Sequence, residues 1–337
     1  MEVCDIGHVD VDPADPLAVG NYLEDMSRSA FARWQAAMVA SDDSAVRAVG
    51  LYTGLRHEEA ADGPYDAGSL AALILLAEDS HDPFAYGVAY EACAKGDATL
   101  RDPLCQPISA AGWTRVDPDN AVPWLALADQ QEKGGDQDAA TAALVRAGDA
   151  KKVENPGVSL YAVASRALPG STTPPESMQL AVRMTGIEAA MPMLSLGASR
   201  FCVKPKVLDE RRRAACARLA DLFAGKSSTL LEFAISGRLG EAAGWPRQRL
   251  DEFMKMREAL WGAALNASAE EAYKSLDCNA VERINAFFAK RAQLGELGAA
   301  RDDLAHSGKT VDEMAQQYRD EHPTEQKRYQ DSLRDQD

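Results

Sequence analysis

The sequence predicts an all-α fold, and three observations carry that expectation. Alanine is abundant and runs of β-branched residues are scarce, which favours helix over sheet. Apolar residues recur at helical spacing along most of the chain. Ser/Asp turns stand just ahead of such stretches, where helix caps belong. The first half is expected to be a solenoid of antiparallel helix pairs and the second half a helical bundle. The clearest linker is Pro169-Gly170-Ser171-Thr172-Thr173-Pro174-Pro175. It divides the chain into expected domains 1–170 and 171–337.

Residues 1–15 are acidic and expected to be extended. Asp10, Asp12 and Asp15 are close together, but they lack the Gly and the terminal Glu of a calcium loop, so no metal site is expected there. A helix is predicted from Asp15-Pro16 to Ala40, with Leu23, Met26, Ala30, Trp34, Ala37 and Met38 facing inward. The phrase Ser41-Asp42-Asp43-Ser44 then caps a second helix through Val46, Val49 and Leu51. A similar phrase, Ser80-His81-Asp82-Pro83, returns 39 positions later, counted from Ser41 to Ser80 and from Asp43 to Asp82. Gly96 to Pro107 reads as a loop, followed by a helix over Leu104–Val116.

In the central stretch, Asn120 is the expected N-cap, Pro123 sits where a missing N–H is harmless, and Trp124, Leu125, Leu127 and Ala128 follow at helical spacing. Gly134-Gly135 ends that helix and Asp136 caps the next, which places Ala139, Ala140, Ala143, Leu144 and Ala147 on one stripe. Trp124, Leu127, Ala128, Ala140, Leu144 and Ala147 stand at the spacing of the tetratricopeptide repeat, which residues 117–152 resemble. Pro118 lies where a preceding repeat would close. Gln131 and Lys152 depart from that pattern, at its aromatic and at its closing Pro. The resemblance covers one repeat of ~34 residues, and it implies stacked helix pairs that bind other proteins.

Further helices are predicted at 157–168, 176–194, 207–224, 228–243, 247–265 and 269–291, with a turn region around Gly197 to Pro205. The phrases from Trp113 through Asp117-Pro118-Asp119-Asn120 to Trp124, and from Cys202 through Arg211-Arg212 to Cys216-Ala217-Arg218-Leu219-Ala220, are similar to those of uncharacterised proteobacterial helical proteins. Many proteins of that group are secreted or periplasmic.

The net charge of −16 is unevenly placed. Residues 1–170 carry 27 acidic and 12 basic residues, a net of −15; residues 171–337 carry 25 and 24, a net of −1. An acidic half repels phosphate backbones, so nucleic acid is excluded as a partner, while a basic protein surface is attracted. No apolar window is long enough to span a membrane. Cys93/Cys105 and Cys202/Cys216 are locally spaced pairs that could each close a disulfide, leaving Cys4 and Cys278 to pair across the chain or stay free. An even count fits an oxidising compartment, yet no signal peptide precedes Cys4. The paired spacing favours a periplasmic protein whose signal has been removed over a cytoplasmic one.

Chemistry is sparse. His8, His57, His81, His306 and His322 are scattered without ligand spacing, and His57-Glu58-Glu59 reads as a helix end. Gly225-Lys226-Ser227 lacks the earlier Gly and the preceding strand of a phosphate loop. No nucleophile elbow occurs. No catalytic residue, cofactor or metal is therefore expected. Arg200, Lys204, Lys206, Arg211, Arg212, Arg213 and Arg218 form a basic run that fits a solvated face, an anion site or a contact with the acidic half. The leading functional expectation is a non-catalytic protein-binding scaffold, in its most concrete form a bacterial immunity protein that neutralises a toxin. Its binding surface is expected at Asp42, Asp43, Glu58, Glu59 and Asp62. The alternatives are an envelope hydrolase with dispersed carboxylates and a cytosolic adaptor.

Overall fold

The structure is a computed structural model, and it describes residues 1–12, 14–55, 66–94, 103–191, 193–204, 208–266 and 277–323. Among the described residues the chain is built of helices, apart from a two-stranded antiparallel hairpin at the N-terminus, β1 (Glu2–Val3) and β2 (Gly7–His8). The extended segment expected there is thus folded back on itself, with Asp5 and Gly7 at positive φ in the reversal.

Five helices lead into the centre: α1 (Pro16–Val39), α2 (Ser44–Thr53), α3 (Ala67–Ser80), α4 (Pro83–Ala94) and α5 (Ala110–Val116). Asp15 caps α1, its Oδ1 accepting from the Leu17 N–H at 2.9 Å. The two Ser/Asp phrases are geometric copies. Asp43 donates its N–H to Ser41 Oγ, Asp82 donates its N–H to Ser80 Oγ, and both bonds are 3.2 Å long. Asp43 Oδ1 caps α2 through the Ala45 N–H at 3.0 Å, and Asp82 Oδ1 caps α4 through the Ala85 N–H at 2.8 Å. The copies also touch, because Ser44 Oγ donates to Asp82 Oδ2 at 3.1 Å. The α1–α2 and α3–α4 turns therefore lie side by side.

The central pair is α6 (Ala121–Lys133) and α7 (Gln137–Gly148), folded against each other across Gly134-Gly135. Asn120 and Asp136 cap them, accepting from Val122 N–H at 3.2 Å and Ala139 N–H at 2.9 Å. Asn120 does more than cap: its amide nitrogen donates to Asp117 Oδ2 at 2.9 Å and to the Glu154 carbonyl at 2.8 Å. It thereby ties the start of α6 to the chain leaving α7.

The second half holds α8 (Leu160–Ala164), α9 (Pro174–Ala189), α10 (Gly197–Cys202), α11 (Glu210–Lys226), α12 (Leu230–Ala243), α13 (Arg247–Asn266), α14 (Cys278–His306) and α15 (Val311–Glu321). Several predicted bounds shift. The helix expected over Leu104–Val116 is a 3₁₀ turn at Pro103–Cys105 and then α5, because Ser109 is extended and caps α5 through the Gly112 N–H. The segment 157–168 is a short α8 between two 3₁₀ turns. The turn region after Gly197 contains α10. Only the part of the 269–291 prediction from residue 277 onward is described, and there α14 continues past it to His306.

One hydrophobic core runs from Ala30 to Ala315 and crosses residue 170 without a break. Helix α1 packs on α9 and α7 packs on α11, so elements of the two halves share that core. Trp34 is fully buried within it and donates its indole N–H to the Ala164 carbonyl at 3.0 Å. A smaller cluster joins Val3, Met178, Ala181, Val281, Ile284 and Phe288, which seats the N-terminal hairpin on α9 and α14. All six cysteines are paired, as Cys4–Cys278, Cys93–Cys105 and Cys202–Cys216. The two local pairs match the expected spacing, and the structure resolves the open choice for Cys4 and Cys278 in favour of a bond. Three disulfides are compatible with an oxidising compartment. Among the described residues no helix is long and apolar enough to cross a membrane.

Candidate functional site

Two places in the fold gather polar side chains beyond what capping and packing require. The first is the turn end of the array. Of the five acids expected to form a binding surface, Asp42 and Asp43 stand there, exposed. Asp43 is also the cap of α2 and an ion-pair partner of Arg166 at 3.2 Å, so part of its charge is used internally. Glu58, Glu59 and Asp62, like His57, lie outside the described residues.

The structure adds two acids that sequence reasoning passed over. Glu78 and Asp79 are exposed in the last turn of α3 and have no partner among the described residues. The contact between Ser44 and Asp82 places this turn beside Asp42 and Asp43. Carboxylates at a helix C-terminus oppose the helix dipole, each at about 0.3–1 kcal/mol, and the last turn of α3 carries no basic residue to offset them. His81, the C-cap, adopts a left-handed conformation at φ 52°, which is uncommon for a residue with a side chain. Local rules are thus broken twice within four residues. The signal readable in the sequence was Glu78-Asp79 standing directly before the Ser80-His81 turn.

The basic run has an internal role. Arg200 pairs with Asp129 and Glu132 of α6, and Arg218 with Asp149 at 2.9 Å. Arg212 donates to Thr141 Oγ1 and Gln137 Oε1 of α7, both at 3.0 Å. Three members of the run therefore bridge to the acidic half, as one of the sequence readings held. Arg200 and Arg218 thereby pair with Asp129, Glu132 and Asp149, whereas Asp42, Glu78 and Asp79 at the α1–α2 and α3–α4 turns make no ion pair among the described residues.

The second place is a cleft of about 430 Å³ between α8, α9, α12 and α14. Its walls include Val158, Met191, Met193, Leu231 and Phe288. Glu188, in the last turn of α9, reaches the N-terminus of α8, where Ser159 makes no side-chain cap. Glu188 Oε1 accepts from the Tyr161 N–H at 2.8 Å, replacing that cap from another helix. Burial pushes the Glu188 carboxyl up to about 7, even though the Tyr161 and Leu160 N–H groups and Arg291 favour its ionised form. Burial, followed by the field of Glu188, also raises the Tyr161 phenol.

Arg291 holds Glu296 at 3.0 Å, and the other oxygen of Glu296 accepts from the Leu230 N–H, at the first residue of α12, at 3.2 Å. This reach depends on Gly295, whose φ of 72° and ψ of 168° interrupt α14 in a region reserved for glycine. The displaced strand of backbone lets the Leu297 N–H bond to the Ser228 carbonyl at 2.9 Å. Behind this wall Glu232 is fully buried near Ser195, and burial raises its carboxyl too.

Chemically, the cleft offers one carboxyl able to exchange a proton near neutrality and a second one locked in an ion pair. The dispersed-acid hydrolase expectation called for two shifted acids; Glu296 is committed to Arg291 and to capping α12. Elsewhere, Cys4, Asp5 and Cys278 converge, but the two sulfurs are bonded to each other and offer no thiolate to a metal. Gly225-Lys226-Ser227 ends α11, with Ser227 Oγ donating back to the Phe223 carbonyl at 2.7 Å. No protein-family model, curated protein or solved structure matches the chain.

Proposed function

We propose that the chain is a non-catalytic protein-binding scaffold of an oxidising compartment, built from tetratricopeptide-like helix pairs, and that it engages a partner with a basic surface. The concrete form of this reading is an immunity or inhibitor protein that covers the site of a cognate toxin. The observation that carries it is the pair Glu78 and Asp79. They stand exposed against the dipole of α3 and beside Asp42 and Asp43, while Asp129, Glu132 and Asp149 near α6 and α7 are paired with arginines. Acids kept at a local cost to stability are better accounted for by a partner than by the fold. Electrostatic complementarity of this kind speeds encounter and sets specificity.

The test is retention of proteins from native-host extract on the wild-type chain and on the Asp42→Lys/Glu78→Lys/Asp79→Lys variant. The reading expects a basic protein that is held at low salt, released as salt rises, and lost on the variant. The same retained proteins on both baits would exclude the acidic edge as the binding surface.

A further inference from the structure

The cleft between α8, α9, α12 and α14 shares no lining residue with the acidic edge and has a character of its own. Its volume of about 430 Å³ falls within the range of small-ligand sites, and its walls are mainly apolar. Leu231 on its wall remains 43% exposed, so the apolar wall reaches solvent. Its charged groups are Glu188, Arg291 and Glu296, beside the hydroxyls of Ser159, Thr185, Ser228 and Thr229. Arg291 is engaged by Glu296 and lies over the Phe287 ring at 5.3 Å, so its charge is already answered. Glu188 takes two backbone N–H donors, and a carboxylate has lone pairs for about four. A ligand entering the cleft therefore meets hydrophobic walls and, at the end, an acceptor with capacity left over. The local formal charge, with Glu188 ionised, is negative.

We propose that this cleft is a binding site for an aliphatic amine, with the ammonium head on Glu188 and the alkyl chain against Met191, Met193 and Phe288. An anionic head would face Glu188 and Glu296 and find Arg291 already paired. The same chemistry belongs to a free alkylamine and to the lysine side chain of a peptide. Occupancy draws the Glu188 proton off, because the cation favours the carboxylate. The charged or titratable groups facing Glu188 are Tyr161 from α8 and Arg291 and Glu296 from α14; Glu232 of α12 lies behind the wall.

The experiment is calorimetric titration of the full chain with n-hexylammonium, with hexanoate, and with Nα-acetyl-lysine methylamide. Hexylammonium is expected to bind at least about tenfold more tightly than hexanoate. Its affinity is expected to rise about tenfold from pH 6 to pH 8, as Glu188 ionises around 7. The heat should vary with the ionisation enthalpy of the buffer, reporting proton release. Tighter binding of the lysine derivative identifies a peptide side chain as the source; tighter binding of hexylammonium identifies a free amine. Glu188→Gln retains an acceptor for the Tyr161 N–H and is expected to lose both the binding and its pH dependence. Met193→Trp, which fills the cleft from its rim and leaves Glu188 in place, is expected to block hexylammonium. Absence of binding by either amine, equal or tighter binding of hexanoate, or undiminished binding by both variants overturns the proposal.

Discussion

Single residues account for the least expected features of the fold. Glu188 is one of 52 acids in the chain, and nothing in its sequence surroundings distinguishes it. It serves the N-terminus of α8, whose own Ser159 makes no side-chain cap, and burial there raises its carboxyl against the pull of the α8 N–H groups. Because its folded pKa is raised to about 7 from an ordinary value near 4.5, the native state holds a proton that the unfolded state gives up. The contribution to stability is therefore full below the unfolded value and is lost as pH rises through 7. Glu188→Gln should flatten the fall in melting temperature between pH 5 and 8 and stabilise the protein at pH 8 by ~1–3 kcal/mol. Thermal melts across that pH range check it, and an unchanged slope would show that Glu188 is ionised throughout. Gly295 was not legible either, because the helix predicted from the sequence ends at residue 291, short of the break it makes in α14. A Cβ there would stand 3.2 Å from the Ser228 carbonyl at a φ that side chains avoid. Gly295→Ala is expected to cost about 1–3 kcal/mol, measured by denaturant unfolding.

At the scale of elements, caps were the most readable signal. Asp15, Asp43, Asn120 and Asp136 all serve the helix starts assigned to them, because a side-chain oxygen bonding N–H groups two or three positions on is local chemistry. The repeated Ser-x-Asp phrase was equally visible. What it did not reveal is that its two copies touch, since the Ser44–Asp82 bond spans 38 positions. That bond makes the caps interdependent. Asp82→Ala removes the α4 cap and the partner of Ser44 together, and should destabilise by ~1–2 kcal/mol. Combined with Ser44→Ala it should cost less than the sum of the two changes, because they share one bond. Additive losses in a double-mutant cycle would show that the copies act separately. Helices formed by tertiary demand were harder to read. The α10 stretch carries Gly197 and short polar residues that suggest a turn, yet Phe201 and Cys202 are buried against the core and hold it helical.

Over the whole molecule, charge and disulfides link parts that the sequence presents as separate halves. The excess of acid in residues 1–170 was legible from composition, but its distribution was not. Arg200, Arg212 and Arg218 settle on α6 and α7, while Asp42, Glu78 and Asp79 at the turns of α1–α2 and α3–α4 make no ion pair among the described residues. The bond between Cys4 and Cys278 closes a loop with a sequence separation of 274 and fastens the N-terminal hairpin to the start of α14. A loop that long restricts the unfolded chain strongly, so Cys4→Ser/Cys278→Ser should lose about 3–5 kcal/mol of stability. Equal melting of oxidised wild type and variant would show that the bond adds nothing in solution. On the proposed function, Glu78 and Asp79 are kept for a partner at the expense of the fold. The most direct measurement is the melting temperature of Glu78→Lys/Asp79→Lys at low salt. A rise is expected, reflecting about 0.6–2 kcal/mol gained at the C-terminus of α3. A fall would mean that these acids stabilise the fold, and the acidic edge would lose its functional claim.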